Sequence, residues 1–325
     1  MVAEGEPQTI LVVLAEADPA GRSLIREALR SVGFANIRDY GDVASLRGDP
    51  ASAAVEFLIV GADLDGAFDL VRDIRHARFG ENPFALVMAL VAAERGTELA
   101  AAVSAGVDEL VTRPLKEAQL MARLRRGWVQ RTPFVVTSDF IGPDRRVRER
   151  QGSLSRLSVP NVLADNLTGR SVLTFELARQ RLAAHGLRLA MLSRLISEGV
   201  GAPMLDQLAP ILADAAGLAA MLGEPEVELL CRVLTARSRT LSGVSTVEQA
   251  RFVSDLAEGL VPVLRPGLSA AEHITAAERA ASTYRSRPRA SLGHATPFGG
   301  RPQEPAVDVP AVALMAVPKG IVLFR

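Results

Sequence analysis

The sequence contains a single cysteine, Cys231, which excludes a disulfide within the chain and any cysteine-based metal cluster. Aromatic residues are also scarce, 4% against 48% hydrophobic residues in all. The apolar mass is alanine, leucine and valine, a composition that favours helices. Net charge is missing: 37 basic residues balance 37 acidic ones, so the chain as a whole has no electrostatic pull on nucleic acid. No uninterrupted apolar run reaches the roughly 18 residues that a membrane-crossing helix needs. No charged-then-apolar signal segment opens the chain, so a cytoplasmic protein without membrane contact is expected. The four histidines, His76, His185, His273 and His294, are scattered and suggest no metal site. Nucleophile elbows, glycine-rich phosphate loops and dinucleotide motifs are absent, and no enzyme activity or cofactor is expected.

A length of 325 residues suits about two domains. Residues 1–7 read as a disordered start and 8–128 as the first domain. Residues 10–14, Ile-Leu-Val-Val-Leu, form a run rich in β-branched residues, suited to a strand buried on both faces. Pro19 opens a helix with Leu24, Ile25, Ala28 and Leu29 on one face, and Gly33 ends it. Ile37 marks a brief second strand and 43–46 a weak second helix. Residues 57–60 are a third strand, followed by a helix with Phe68, Leu70, Val71 and Ile74 on its face. A fourth strand spans 83–91, a helix 98–105, a fifth strand 109–112 and a fifth helix 115–128. Five alternating strand–helix units predict an α/β, doubly wound, five-stranded parallel sheet of flavodoxin-like order. In that order the functional crevice lies beyond the carboxyl ends of strands one and three.

Three pieces carry a resemblance. They are the first strand with Glu16-Ala17-Asp18-Pro19 and Arg22, the segment Ala105-Gly106-Val107-Asp108-Glu109-Leu-Val-Thr112-Arg113-Pro114, and the helix 68–75 after the third strand. With these the domain resembles the receiver of two-component response regulators, and a degenerate one. The resemblance implies a phosphorylated aspartate at the end of strand three, with Mg²⁺ held by an acid pair after strand one. It also implies a lysine before a proline on strand five and a hydroxyl on strand four. In this chain the acceptor position falls at Gly61. The acid pair falls at Glu16 and Ala17, with Asp18 beside them, which leaves at most a weak Mg²⁺ site at Glu16. The lysine becomes Arg113, followed by Pro114, and the hydroxyl becomes Val91. The loop after strand three is shorter than in the family.

Asp63 is the substitute acceptor. Two residues along an extended strand would carry its carboxylate about 6–7 Å from the position of Gly61, too far from a metal at Glu16. The plainer reading of Glu16, Asp18, Asp63 and Asp65 is a solvated acidic rim. The resemblance therefore implies a non-catalytic regulatory module. It would bind proteins, a histidine kinase or a second copy, through the strand-four to strand-five face, residues 94–105 and 109–113. The alternative is an active phosphorelay component using Asp63 or His185.

Residues 129–164 read as a solvated, arginine-rich connector in which 134–136 is a short edge strand. Its segment Thr137-Ser138-Asp139-Phe140-Ile-Gly-Pro-Asp-Arg-Arg146 resembles the extension that follows receivers in a group of bacterial response regulators. No aromatics interleave the arginines after Phe140 and no helix-turn-helix pattern follows, so nucleic acid is not an expected partner. Residues 165–284 have helical period and predict an all-α bundle. Its stripes are Leu187, Ala190, Met191 and Leu195; Leu205, Leu208, Leu212, Ala215, Ala219 and Leu222; Val227, Leu230, Cys231 and Leu234; and Phe252, Leu256, Leu260 and Val263. Capping boxes stand at Ser245–Glu248 and Ser269–Glu272. His185 with Arg188 has the offset of a phosphotransfer helix, but Leu189 stands where that family places a small residue. Residues 285–325, rich in proline, glycine and arginine, read as a mostly disordered tail with an apolar end.

Overall fold

A computed structural model describes residues 7–92, 96–129, 131–146, 156–159, 167–198, 202–240, 249, 252–253 and 256–264. These fall into two compact units, residues 7–135 with 139–173, and residues 136–138 with those from 174 onward.

Unit one is built on strict alternation in its strands. β1 (Val12–Ala15), β3 (Phe57–Gly61) and β4 (Leu86–Ala92) are buried almost throughout, so alternate side chains feed two separate cores. Val13, Leu58, Val60, Val87 and Ala89 face α2 (Val43–Gly48), α3 (Ala67–Arg75) and α4 (Gly96–Ala105). Val12, Leu14, Phe57, Ile59, Met88 and Leu90 face α1 (Pro19–Ser31) and α5 (Glu117–Val129). With β2 (Ile37–Tyr40) and β5 (Glu109–Arg113) the sheet order is β2-β1-β3-β4-β5, and the paired strands are parallel. This is the flavodoxin-like order expected. The Arg113–Pro114 peptide is cis.

Two boundaries differ from the sequence reading, for identifiable reasons. β4 begins at Leu86, not 83, because the Pro83 and Ala85 carbonyls accept from Arg75 instead of from a strand, at 2.9 and 2.7 Å. Pro7 opens a 3-10 turn, Pro7–Thr9, so the expected disorder does not extend to it; residues 1–6 lie outside the described residues.

The expected flexible connector is the larger correction. Residues 131–135 and 139–146 are built into unit one. β6 (Phe134–Val136) is the middle, not the edge, of a small sheet of order β7-β6-β8, with β7 at Ile141–Pro143 and β8 at Arg156–Leu157. β7 comes so close to the turn after α4 that a Cβ on Gly142 would lie 2.6 Å from the Gly106 Cα. A Cβ on Gly106, itself at φ +89°, would lie 2.2 Å from the Ile141 carbonyl oxygen. Glycine is required at both positions by backbone approach, and at Gly106 by the left-handed conformation as well.

Unit two contains α6 (Leu167–Ser197) from residue 174 on, α7 (Leu208–Leu222) and α8 (Pro225–Ser238), then a π-helical turn Leu256–Leu260 and a short helix Val261–Leu264. Gly223, at φ +73°, ends α7, and Pro225 starts α8, so the two helices form a tight hairpin. Leu189, Leu192, Leu195, Leu208, Leu212, Ala215, Ala219, Cys231, Leu234, Phe252, Leu256 and Leu260 make its core. The segment Leu205–Leu222 has the length and composition of a membrane-crossing helix. Here it is a core helix: its apolar side packs inside the unit while Asp214 pairs with Arg181 on α6. Two stripe assignments are corrected, since Leu230 and Val263 are exposed. The two capping boxes, the helix expected after Ser269 and the 285–325 tail lie outside the described residues.

Candidate functional site

The carboxyl ends of β1, β3 and β5 bring Glu16, Gly61 and Arg113 together, as the parallel order requires. Glu16 directly follows β1. Its backbone N–H donates to the Tyr40 carbonyl (3.1 Å), and its carboxylate is 1% exposed. One carboxylate oxygen accepts from the Asp18 N–H at 3.0 Å. The other accepts from the Arg113 Nη2 at 2.6 Å. The same Arg113 nitrogen reaches Asp63 Oδ1 at 2.9 Å. Arg22 holds the turn below by donating to the Glu16 and Ala17 carbonyls.

Asp63 is therefore in the pocket, contrary to the estimate made along an extended strand. The strand stops at Gly61, and the Leu64 N–H donates to the Gly61 carbonyl at 3.3 Å, closing a tight turn. The turn carries the Asp63 carboxylate back over Gly61. A Cβ built on Gly61 would stand 2.8 Å from Asp63 Oδ1, 3.1 Å from Arg113 Nη2 and 3.2 Å from Glu16 Oε2. The space above the glycine is filled by one cation shared between two carboxylates.

The acidic-rim reading fails for Glu16, which is buried and paired. Asp18 does not join the cluster: it is the N-cap of α1 and accepts from the Ala20 and Gly21 N–H groups at 3.1 and 2.9 Å. Val91 is buried, and Thr112 accepts from Gln119 at 3.3 Å. Glu98 of α4 accepts from the Ala92 N–H at 3.1 Å, which ties α4 to the end of β4.

These residues do not fit a divalent cation. Among the described residues no group of three or more His, Cys, Asp or Glu side chains is placed to hold a metal. Both oxygens of Glu16 are engaged, and the guanidinium of Arg113 stands between Glu16 and Asp63.

His185, the other candidate acceptor, lies within unit two and its side chain is 3% exposed. Its Nε2 is 2.5 Å from Asp214 Oδ2, and its Nδ1 is 3.2 Å from Ser138 Oγ. Arg181 shares Asp214, at 2.8 and 2.6 Å to its two oxygens. Both ring nitrogens are engaged in a buried polar cluster.

At the opposite pole of unit one the motif residue Asp108 holds a second cluster that the sequence reading missed. Arg75, fully buried, donates to Asp108 at 2.6 Å and to the carbonyls of Gly106, Pro83 and Ala85. Arg131 donates to the other Asp108 oxygen at 2.7 Å, and both guanidiniums lie over the Phe134 ring, at 4.8 and 5.5 Å. Arg145 donates to the Val107 and Asp108 carbonyls at 2.7 and 2.9 Å. Burial pushes the Arg75 guanidinium down to about 10 despite its pairing with Asp108. Burial alone would raise the Asp108 carboxyl, but Arg131 and Arg75 outweigh it and hold it below its usual range. The available signal was a run of arginines just after a receiver-like motif; nothing local revealed that two of them would fold back on it.

No protein-family model matches the chain. Over 123 residues it is 30% identical to a probable transcriptional regulatory protein, TcrX, of Mycobacterium tuberculosis, covering 38% of this chain and 50% of the relative. The chain thus spans half the length of that curated relative. Similar solved structures include the chemotaxis response regulator CheY4 of Vibrio cholerae, 16% identical, covering 36% of this chain and 98% of that one at a TM-score of 0.32. The response regulator DrrB of Thermotoga maritima, an OmpR/PhoB homologue, is 19% identical over 36% of this chain and 51% of its own at 0.32. A CheY-like protein, TadZ, of Pseudomonas aeruginosa is 20% identical over 36% of this chain and 98% of its own at 0.30.

Proposed function

We propose that unit one is a receiver-type signalling module that works without phosphorylation, and that the chain regulates by binding another protein. The carrying observation is Arg113 clasped between Glu16 at 2.6 Å and Asp63 at 2.9 Å, directly above a residue with no side chain. An incoming phosphoryl group would be anionic and would have to displace a carboxylate from this guanidinium. No divalent cation would be there to offset its charge. The partner face is β4 with α4 and β5, which a receiver uses to transmit its state. A histidine kinase or a second copy is the partner class that the resemblance implies. Neither the charge balance nor the placement of Arg131 and Arg145 favours nucleic acid.

A second reading has its own observation. The Asp63 side chain is 48% exposed and sits over Gly61, so its carboxylate is open to a phosphodonor. The two readings separate on treatment with acetyl phosphate and Mg²⁺, and with a phosphorylated kinase, followed by intact-mass measurement. The first expects no adduct. A phosphoryl adduct on the wild type that Asp63→Ala abolishes would establish the second and remove the first. His185→Ala is expected to change nothing, because the imidazole is enclosed.

A further inference from the structure

One side of α8, Val227, Cys231 and Leu234, is buried in unit two. On the other side Leu229, Leu230 and Val233 are 65%, 36% and 56% exposed. The exposed residues Glu226, Leu230, Val233 and Arg237 follow the spacing i, i+4, i+7, i+11. That is the spacing of a heptad seam, with Leu229 flanking it, on a helix whose Arg232 and Ala236 are also exposed. The Arg237 guanidinium lies over the Phe252 ring at 5.3 Å.

Read from its N-terminus, the seam is acidic, apolar, apolar, basic. A two-fold interface must be complementary to itself. About an axis between residues 231 and 232, an antiparallel pair of α8 helices places Glu226 against Arg237 of the second copy, and Leu230 against Val233. A parallel pair would stack Glu226 on Glu226 and Arg237 on Arg237. An acidic first turn and a basic last turn also suit the helix's own dipole. The exposed leucines and valine between them do not follow from that. We propose that α8 is a self-association surface whose occupant is α8 of a second copy, packed antiparallel. A helix of 14 residues is about 21 Å long. One such pair lies at the small end of specific interfaces, so the dimer is weak and reversible.

Sedimentation velocity of the full chain over a concentration series tests this. A monomer–dimer equilibrium is expected. Glu226→Arg and Arg237→Glu should each raise the dissociation constant about tenfold, because each sets two like-charge contacts across the axis. The double variant Glu226→Arg/Arg237→Glu should return it to near the wild-type value. Leu229→Lys/Val233→Lys should abolish the dimer. If circular dichroism shows that this last variant has lost its helices, the charge exchange alone decides. A chain that stays monomeric to its solubility limit overturns the proposal. So does a dimer that ignores the charge variants, which would use another face. A dimer that forms only after residues 309–325 are deleted also overturns it, since the apolar tail would then be the occupant.

Discussion

Gly61→Ala puts a methyl group 2.8 Å from Asp63 Oδ1. That oxygen belongs to a half-exposed, flexible side chain, so Asp63 should swing outward while Arg113 stays with the buried Glu16. The expected cost is small, about 1 kcal/mol in a urea melt. A loss of about 3 kcal/mol would mean that the cluster is rigid. Asp108 is a different case. Removing its charge leaves Arg75 and Arg131 enclosed without a counter-ion, and Asp108→Asn should cost about 3–5 kcal/mol. The folded carboxyl titrates below the ordinary value near 3.9, so its stabilisation is complete above that pH. It is lost as pH falls through the lowered folded value. Acid melts of the wild type should steepen below about pH 4, and Asp108→Asn should flatten that limb.

At the scale of elements, residues 131–135 and 139–146, which follow α5, belong to the fold of unit one. β7 is seated on the turn after α4, and Arg131, Phe134 and Arg145 complete the Asp108 cluster. Gly106→Ala should therefore cost about 3 kcal/mol or more, through strain at its positive φ and the clash with the Ile141 carbonyl. Chemical denaturation with tryptophan and dichroism signals in parallel would measure it. In unit two Cys231 reports on the α7–α8 hairpin. Burial pushes its thiol up to about 11, and the group is fully enclosed. Modification by a thiol reagent near neutral pH should be slow and should track local opening of α8, accelerating in sub-denaturing urea.

For the whole molecule, equal numbers of basic and acidic residues predict weak electrostatic association. Fluorescence anisotropy with duplex DNA at low salt should show no salt-dependent binding, whose slope would otherwise count neutralised phosphates. Tight binding that weakens steeply with salt would reassign the arginines of 145–156 to a nucleic-acid surface.

How far the chain could be read before folding varied with the range of the interactions involved. The two sheet faces were legible in residues 10–14 and 57–60, because a strand's alternation is local. The α7 core stripe was legible for the same reason. Leu230 was misassigned because its neighbour Cys231 takes the core position and periodicity alone does not fix which of two adjacent residues turns inward. Asp63 was misplaced because extended-strand geometry ends at Gly61, and a turn reverses the chain there. Arg131 was read as part of a solvated connector because its partner lies 23 residues away, in the turn between α4 and β5.

The sequence by itself determined the helix and strand periods, the alternating faces of the parallel sheet, and the exclusion of an intrachain disulfide and of a cysteine-based metal cluster, since each depends on residue type and near-neighbour spacing. Only the tertiary structure decided that one arginine would lie between Glu16 and Asp63, that Asp108 would gather two buried guanidiniums, and that His185 would be enclosed. Each of these requires groups from separate elements to meet within hydrogen-bonding distance, and that depends on how the elements pack.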